Sequence, residues 1–424
     1  MKFPTNLLTA AVLAAMAMAA FAQESALPST ITYPAAHKDN TVDTYFGTKV
    51  PVPYQWMENL TSPQLKKWVE AENVLTNAYL AKIPVRGWID QRLTELWNYA
   101  KEGTPDQLKN GMLFFRRNSG LQNQSVVYVQ ASPTAKPRVL LDPNKLSPDG
   151  SIALKGGAPS SDGEYYAYAL SKGGSDWETI HVMDVKSGKQ LPDVIRWVKF
   201  SGISWTHDGK GFFYSRYPQP PSGEKAISHA VVDQKLYYHT LGTPQSDDKV
   251  IYARADLPHA GIGGGVSEDG RYLVVFLENN TISKNELFYA DLGAPDKPDL
   301  GARIKPLYTR NDAMYSPIGH IGDTLYLQTT LDAPKGRIVA TKFSDPDPAH
   351  WRVVVPQAEG VLASATLTDG RILANYRDVA KSDLKLFGTD GKLISKLSLP
   401  TLGTVAGISA RNDSKTAYYA FTSY

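Results

Sequence analysis

The sequence predicts an all-β fold, a seven-bladed β-propeller with an incomplete last blade, preceded by a short helical N-terminal segment. Three observations predict it. First, one hairpin unit recurs. Its clearest copy is Phe200 to Pro218, where small residues through Gly202, Ile203 and Ser204 lead to an Asp208-Gly209 turn and then Phe212-Phe213-Tyr214. Asp-Gly between apolar runs marks a hairpin, because Gly accepts positive φ and Asp bonds its own backbone. Second, the turns keep a period. They fall at positions 110, 162, 208, 269, 322, 369 and 412. Seven copies spaced by about 50 residues, each holding several short strands, read as propeller blades. Third, the strand before the turn is rich in small residues, as in Gly263-Gly264-Gly265 and Ala363-Ser364-Ala365. That suits an inner strand crowded around a central channel. A β-sandwich array is the alternative.

From the N-terminus, Lys2 is the only charge in the first 22 residues, Leu7 to Ala20 is apolar, and Ala20-Phe21-Ala22 fits small-x-small cleavage. Residues 1–22 therefore read as a signal peptide, with Gln23 the first mature residue, in an exported protein that is periplasmic or secreted. The apolar run is shorter than the ~20 residues of a spanning helix. No later stretch is long and apolar enough to span a membrane. There are no cysteines, hence no disulfide and no lipidated cysteine.

Residues 23–88 form an extended and helical segment. Ser62 is a helix N-cap with Pro63 in the first turn, and Leu65, Trp68, Ala71, Leu75 and Ala78 follow at helical spacing. After Pro84 a second helix spans Val85 to Trp97. Residues 89–424 carry the repeats. The last turn lies 12 residues from Tyr424, room for two of the four strands of a blade. Some propellers complete the last blade with an N-terminal strand, and Thr48 to Val52 is extended, but it is interrupted by Pro51.

Lys and Arg total 45 against 42 Asp and Glu, interspersed, so no basic stripe points to nucleic acid. The eight His residues do not cluster, and no pair has metal-ligand spacing beside carboxylates, so neither a metal nor a cofactor is expected.

From about Tyr33 the chain resembles the N-terminal part of the prolyl oligopeptidase family. The resemblance rests on VDTYFGTKVPVPYQWMEN at 42–59, LTELWNY at 93–99, GLQNQSVVYVQ at 120–130, RVLLDPNKLSPDG at 138–150, GSDW at 174–177, WVKFSGISWTHDGKGFFYSRYP at 197–218, QKLYYHTLGTPQS at 234–246, DGRYLV at 269–274, DAPKGRIVA at 332–340 and FTSY at 421–424. It implies a propeller over the mouth of an α/β-hydrolase catalytic domain, which cleaves short peptides after proline while the propeller excludes large folded proteins. It also implies that residues 23–88 pack on that catalytic domain, the partner absent from this chain.

The chain departs from the family in its chemistry. Acyl transfer needs a Ser on a G-x-S-x-G elbow, a base, a residue orienting the base and an oxyanion hole. No G-x-S-x-G occurs. Four partial matches, ending at Ser175, Ser204, Ser267 and Ser409, lack the second Gly and read as blade strands or turns, so no catalytic residue is assigned. By the resemblance, the residue five places after Trp177 is an aromatic wall of the substrate cavity. Here it is Val182, and Trp177 and Val182 are the only candidate site residues.

The expected function is thus the gating propeller of an exported prolyl oligopeptidase-like serine endopeptidase, non-catalytic by itself. The alternative is a stand-alone periplasmic propeller that binds a ligand or protein. A sialidase-type reading fails, because Ser160-Ser161-Asp162-Gly163 lacks the spacer of S-x-D-x-G.

Overall fold

The computed structural model describes residues 31–221, 231–278 and 283–423. The expected export signal lies outside them. The chain divides into two compact units, Met1–Leu96 and Trp97–Tyr424.

In the first unit, Val42–Tyr45 and Thr48–Pro51 pair as a hairpin around Phe46 and Gly47, both at positive φ. Most of the stretch Thr48 to Val52 is thus engaged in a hairpin within this unit. Helix α1 spans Pro63–Leu80, and the Ser62 hydroxyl accepts the Leu65 amide at 3.0 Å, the N-cap geometry the sequence predicts. Helix α2 spans Arg86–Trp97 and buries no residue. Among the described residues no helix is long and apolar enough to cross a membrane.

The second unit is a ring of antiparallel sheets. The first sheet combines Lys101–Glu102, Asp106–Gln107, Leu113–Asn118, Val126–Gln130 and Arg138–Leu141. The second runs in chain order through seven strands, from Ile152–Pro159 to Lys249–Tyr252. The third starts at Gly261–Val266, the fourth at Tyr315–Ile321 and the fifth at Val361–Thr368; each has four strands. The sixth is the hairpin Thr404–Ala410 with Ala417–Thr422.

This corrects the expectation of seven blades. The propeller fold stands, but among the described residues four sheets, the first, third, fourth and fifth, have the form of separate blades. The repeats with turns at 162 and 208 are fused. One 16-residue strand, Gln190–Trp205, pairs with Glu178–Asp184 along its first part and Gly211–Arg216 along its second. A bulge carries the chain across, with Trp197 and Phe200 at φ 63° and 55°. The copy at 412 is the two-stranded hairpin.

The Asp-Gly turns form as expected, for a reason visible atom by atom. The hydroxyls of Ser160, Thr206 and Ser267 donate to the carboxylates of Asp162, Asp208 and Asp269 at 2.5, 2.7 and 2.6 Å. Each carboxylate also accepts the amide two residues on, from Glu164, Lys210 and Arg271. The following Gly163, Gly209 and Gly270 all have positive φ.

Between sheets, apolar side chains and buried or partly buried carboxamides hold the ring. Phe212, Phe213 and Tyr214 are at most 1% exposed, each worth ~1.5–3 kcal/mol of burial. Gln124 donates to the Ile152 carbonyl and accepts the Leu154 amide, at 2.7 and 2.8 Å. Gln234 donates to the Lys199 carbonyl and accepts the Ile262 amide, both at 2.8 Å. Asn285 takes both backbone groups of Tyr315, at 3.0 and 2.7 Å. Gln328 donates to the Leu362 carbonyl, and Gly370 N–H to Asn412 Oδ1. The ring closes where Gln107 Nε2 donates to Ser414 Oγ at 3.1 Å. The inner strands need their small residues: a Cβ on Gly263 would lie 2.2 Å from the Phe276 ring, and one on Gly264 2.7 Å from Leu236.

Candidate functional site

Because the inner strands are small and the ring is closed, space remains at its centre. A cavity of about 960 Å³ is lined by the inner strands and turns of the first, second, third, fourth and sixth sheets. Its walls are apolar where Ile203, Trp205, Val266, Val274, Phe276 and Leu325 face it. Trp205 keeps its indole N–H satisfied on the Ala158 carbonyl at 3.0 Å.

The end carrying the Asp-Gly turns is charged. Lys109, Asp162, Glu268, Asp269, Arg411 and Asp413 gather there with His207 and His320. His320 Nε2 lies 3.0 Å from Asp269 Oδ1, and its Nδ1 is 2.9 Å from the Gly322 carbonyl. Burial works to raise the Asp269 pKa. The Ser267 hydroxyl, the Arg271 amide and His320 outweigh it and hold the carboxyl below its usual range. Burial lowers the His207 pKa, which favours the neutral imidazole at neutral pH. Glu268 is shifted the other way: burial raises its carboxyl, despite the amides of Asn412 and Asp413 and the Arg411 charge. Its two oxygens each lie 2.9 Å from the Asn412 amide nitrogen, and Arg411 is 3.5 Å away. Arg411 is itself clasped by Asp413 at 2.8 and 2.9 Å.

The two candidate residues from the sequence are elsewhere. Val182 is 0% exposed, packed with Ala167, Ile180, Ile195 and Val198 inside the second sheet. Trp177 is half-buried and meets Trp197 and Tyr217 edge-on, both at 6.0 Å, with Lys199 Nζ 5.5 Å from its ring. It borders a separate hollow of about 390 Å³ with Ser171, Thr179 and His181. Neither residue lines the central cavity. The serines of the partial elbow motifs have structural duties: Ser175 Oγ accepts the Trp177 amide, Ser204 Oγ accepts the Val266 amide, and Ser267 serves its turn.

Glu268 and Arg411 were not marked by the sequence, since the bond that joins Glu268 to the turn at Asn412 spans 144 residues. A second unmarked cluster lies buried in the second sheet. His239 places Nδ1 2.7 Å from Asp248 and Nε2 3.0 Å from Asp193. Tyr214 Oη donates to Asp248 at 2.5 Å, and the Gly242 amide to Asp193 at 2.6 Å. With all three ionisable side chains at most 1% exposed, this cluster lies away from the central cavity and acts as a staple.

The family model for the prolyl oligopeptidase N-terminal β-propeller domain matches residues 33–424. The chain belongs to the prolyl oligopeptidase family. Within that family it is 38% identical over 411 residues to a prolyl endopeptidase of Elizabethkingia miricola and 39% to one of Elizabethkingia meningoseptica, in each case covering 97% of this chain and 57% of the relative. Among solved structures, prolyl oligopeptidase B of Galerina marginata, bound to a 25-residue macrocyclization substrate, superposes with a TM-score of 0.81 at 30% identity. That match covers 92% of this chain and 57% of the other. The chain thus spans a little over half the length of the family members it matches, and the matched part is their propeller region.

Proposed function

We propose that this chain is the gating propeller of an exported serine endopeptidase that cleaves short peptides after proline, and that the propeller alone is non-catalytic. The observation that carries this reading is the contrast between the two faces of the ring. One face, with the Asp-Gly turns, is charged and spanned by Glu268. The other presents exposed apolar side chains at strand ends and connections: Leu121, Phe200, Leu257, Val361, Val379 and Leu402, from 38% to 93% exposed. Val379 and Phe200 also hold left-handed backbone, φ 55° in both. For a β-branched residue this is a genuine outlier, and strain of about 1–3 kcal/mol persists where surroundings demand it. An apolar face of this kind suits a covering domain, and the α/β-hydrolase domain of the family is the partner proposed for it. Peptides then meet the active site through the central cavity or past that face, and folded proteins are excluded by size.

The test uses a Gly-Pro-linked chromogenic peptide. The purified chain gives no turnover, because nothing here replaces a nucleophile elbow and oxyanion hole. The same chain joined to a family hydrolase domain cleaves the peptide and spares a folded protein of similar sequence content. Turnover by the chain alone, blocked by a serine-directed inhibitor, overturns the reading. Export is tested separately: N-terminal sequencing of the secreted product returns Gln23, and a product starting at Met1 removes that part.

A further inference from the structure

The first repeat turns on Asn110-Gly111, the one Asn-Gly pair in the sequence, where the next three repeats turn on Asp-Gly. The difference is chemical as well as conformational. A carboxamide next to a backbone amide can be attacked by it, whereas an ionised carboxylate offers no leaving group. In the attack a bond forms from Gly111 N to Asn110 Cγ, the bond from Cγ to Nδ2 breaks, and ammonia leaves. The succinimide so formed takes up water at either carbonyl. It opens to aspartate, or to isoaspartate, in which the main chain runs through the side-chain carboxyl. No oxidant, reductant or cofactor enters.

Three features of the turn favour the reaction. Asn110 is exposed. A Cβ placed on Gly111 would meet nothing within 4 Å, so the attacking nitrogen is uncrowded, as close backbone approach requires. The Met112 amide donates to Asn110 Oδ1 at 3.1 Å. That oxygen gains negative charge as the ring closes, and a donor already aimed at it lowers the barrier. Against these stands one bond, from the Gly111 amide to the Leu108 carbonyl at 3.0 Å. The leaving nitrogen has a structural duty as well: Asn110 Nδ2 donates to the Asp162 carbonyl at 2.8 Å and joins the first sheet to the second.

We propose that Asn110 is a self-modifying site, converted in the folded chain to aspartate and isoaspartate through a succinimide closed by Gly111. The product sets a carboxylate oxygen against the Asp162 carbonyl in place of a donor. It also adds a negative charge beside Lys109 and Asp162, which line the charged end of the cavity. Aged copies of the protein thus differ from new ones in charge and in the joint between the first two sheets.

The experiment incubates the folded full chain at mildly alkaline pH, with a second sample unfolded in urea, and follows the peptide containing Asn110 by mass spectrometry. In the folded chain that peptide gains one mass unit and splits into two separable products, isoaspartate in excess, at a rate within tenfold of the unfolded sample. Asn144 and Asn412, followed by Lys145 and Asp413, stay intact over the same time. Asn110→Gln shows no acidic species on ion exchange. Asn110→Asp, which carries the product's charge without the reaction, unfolds at a lower urea midpoint than the parent. Retention of the Asn110 amide in the folded chain while the unfolded chain loses it overturns the proposal. So does conversion of Asn144 or Asn412 as fast as Asn110, which removes the role of Gly111. Equal midpoints for Asn110→Asp and the parent overturn the claim that the reaction weakens the joint.

Discussion

The second sheet and the terminal hairpin belong to one ring and are secured by opposite means. In the second sheet Ile180, Val182, Ile195, Val198 and Phe212 are all 0% exposed, and His239 ties strand to strand between two aspartates. In the hairpin Val405 is the only buried residue, and polar bonds at the 411–414 turn do the holding. Apolar burial is non-directional and scales with area, whereas a few polar bonds depend on single atoms. One arc of the ring is therefore robust to any one polar loss at its surface, and the other is not.

The largest effect that sharpens this contrast comes from His239→Ala. It leaves Asp193 and Asp248, buried on opposite sides of the imidazole, without their partner, a loss of about 3–5 kcal/mol, read as a fall in urea midpoint. The pH dependence has a defined sign. Burial disfavours the charged imidazole, but Asp248 and Asp193 outweigh it, so the folded pKa lies above the ordinary 6.5. The stability from this group is fully present below pH 6.5 and declines as pH rises through the folded value. Urea midpoints of the parent should fall across that window more steeply than those of His239→Ala; parallel profiles would show that His239 is held neutral.

A smaller effect is expected at a joint. Gln234→Ala leaves the Lys199 carbonyl and the Ile262 amide without their buried partner, costing about 1–3 kcal/mol. Chemical denaturation measures it, and a midpoint equal to the parent's would mean that water takes over both bonds. The smallest global effect belongs to Val405→Ala. It removes about 1–2 kcal/mol of local packing, seen as faster amide exchange in 404–422 with the main unfolding transition unmoved. If the main transition shifts with it, the hairpin unfolds together with the ring and the contrast drawn above fails.

How far the sequence showed this follows the range of each interaction. The turns were legible because Ser160, Asp162 and Gly163 act within three residues of one another, and the N-cap at Ser62 because capping is equally local. The fusion across Gln190–Trp205 was not. The turns at 162 and 208 read as two separate repeats, yet the chain between them passes through a bulge and keeps pairing. That one strand lowers the count of separate blades. The small inner strands foretold a central channel, but not the residue that crosses its mouth: a contact between Glu268 and the 411–413 turn leaves no periodicity in the sequence. Val182 was carried from a family position, and its alternation along Glu178–Asp184 sets it in the sheet interior, where the structure has it.

The continuous strand Gln190–Trp205 also has a mechanical consequence. A ring widens by opening its seams, and along this strand two repeats share an unbroken hydrogen-bonded ladder in place of a seam. The arc from Ile152 to Tyr252 therefore moves as one stiff segment. Any widening of the channel is displaced onto the remaining seams between sheets.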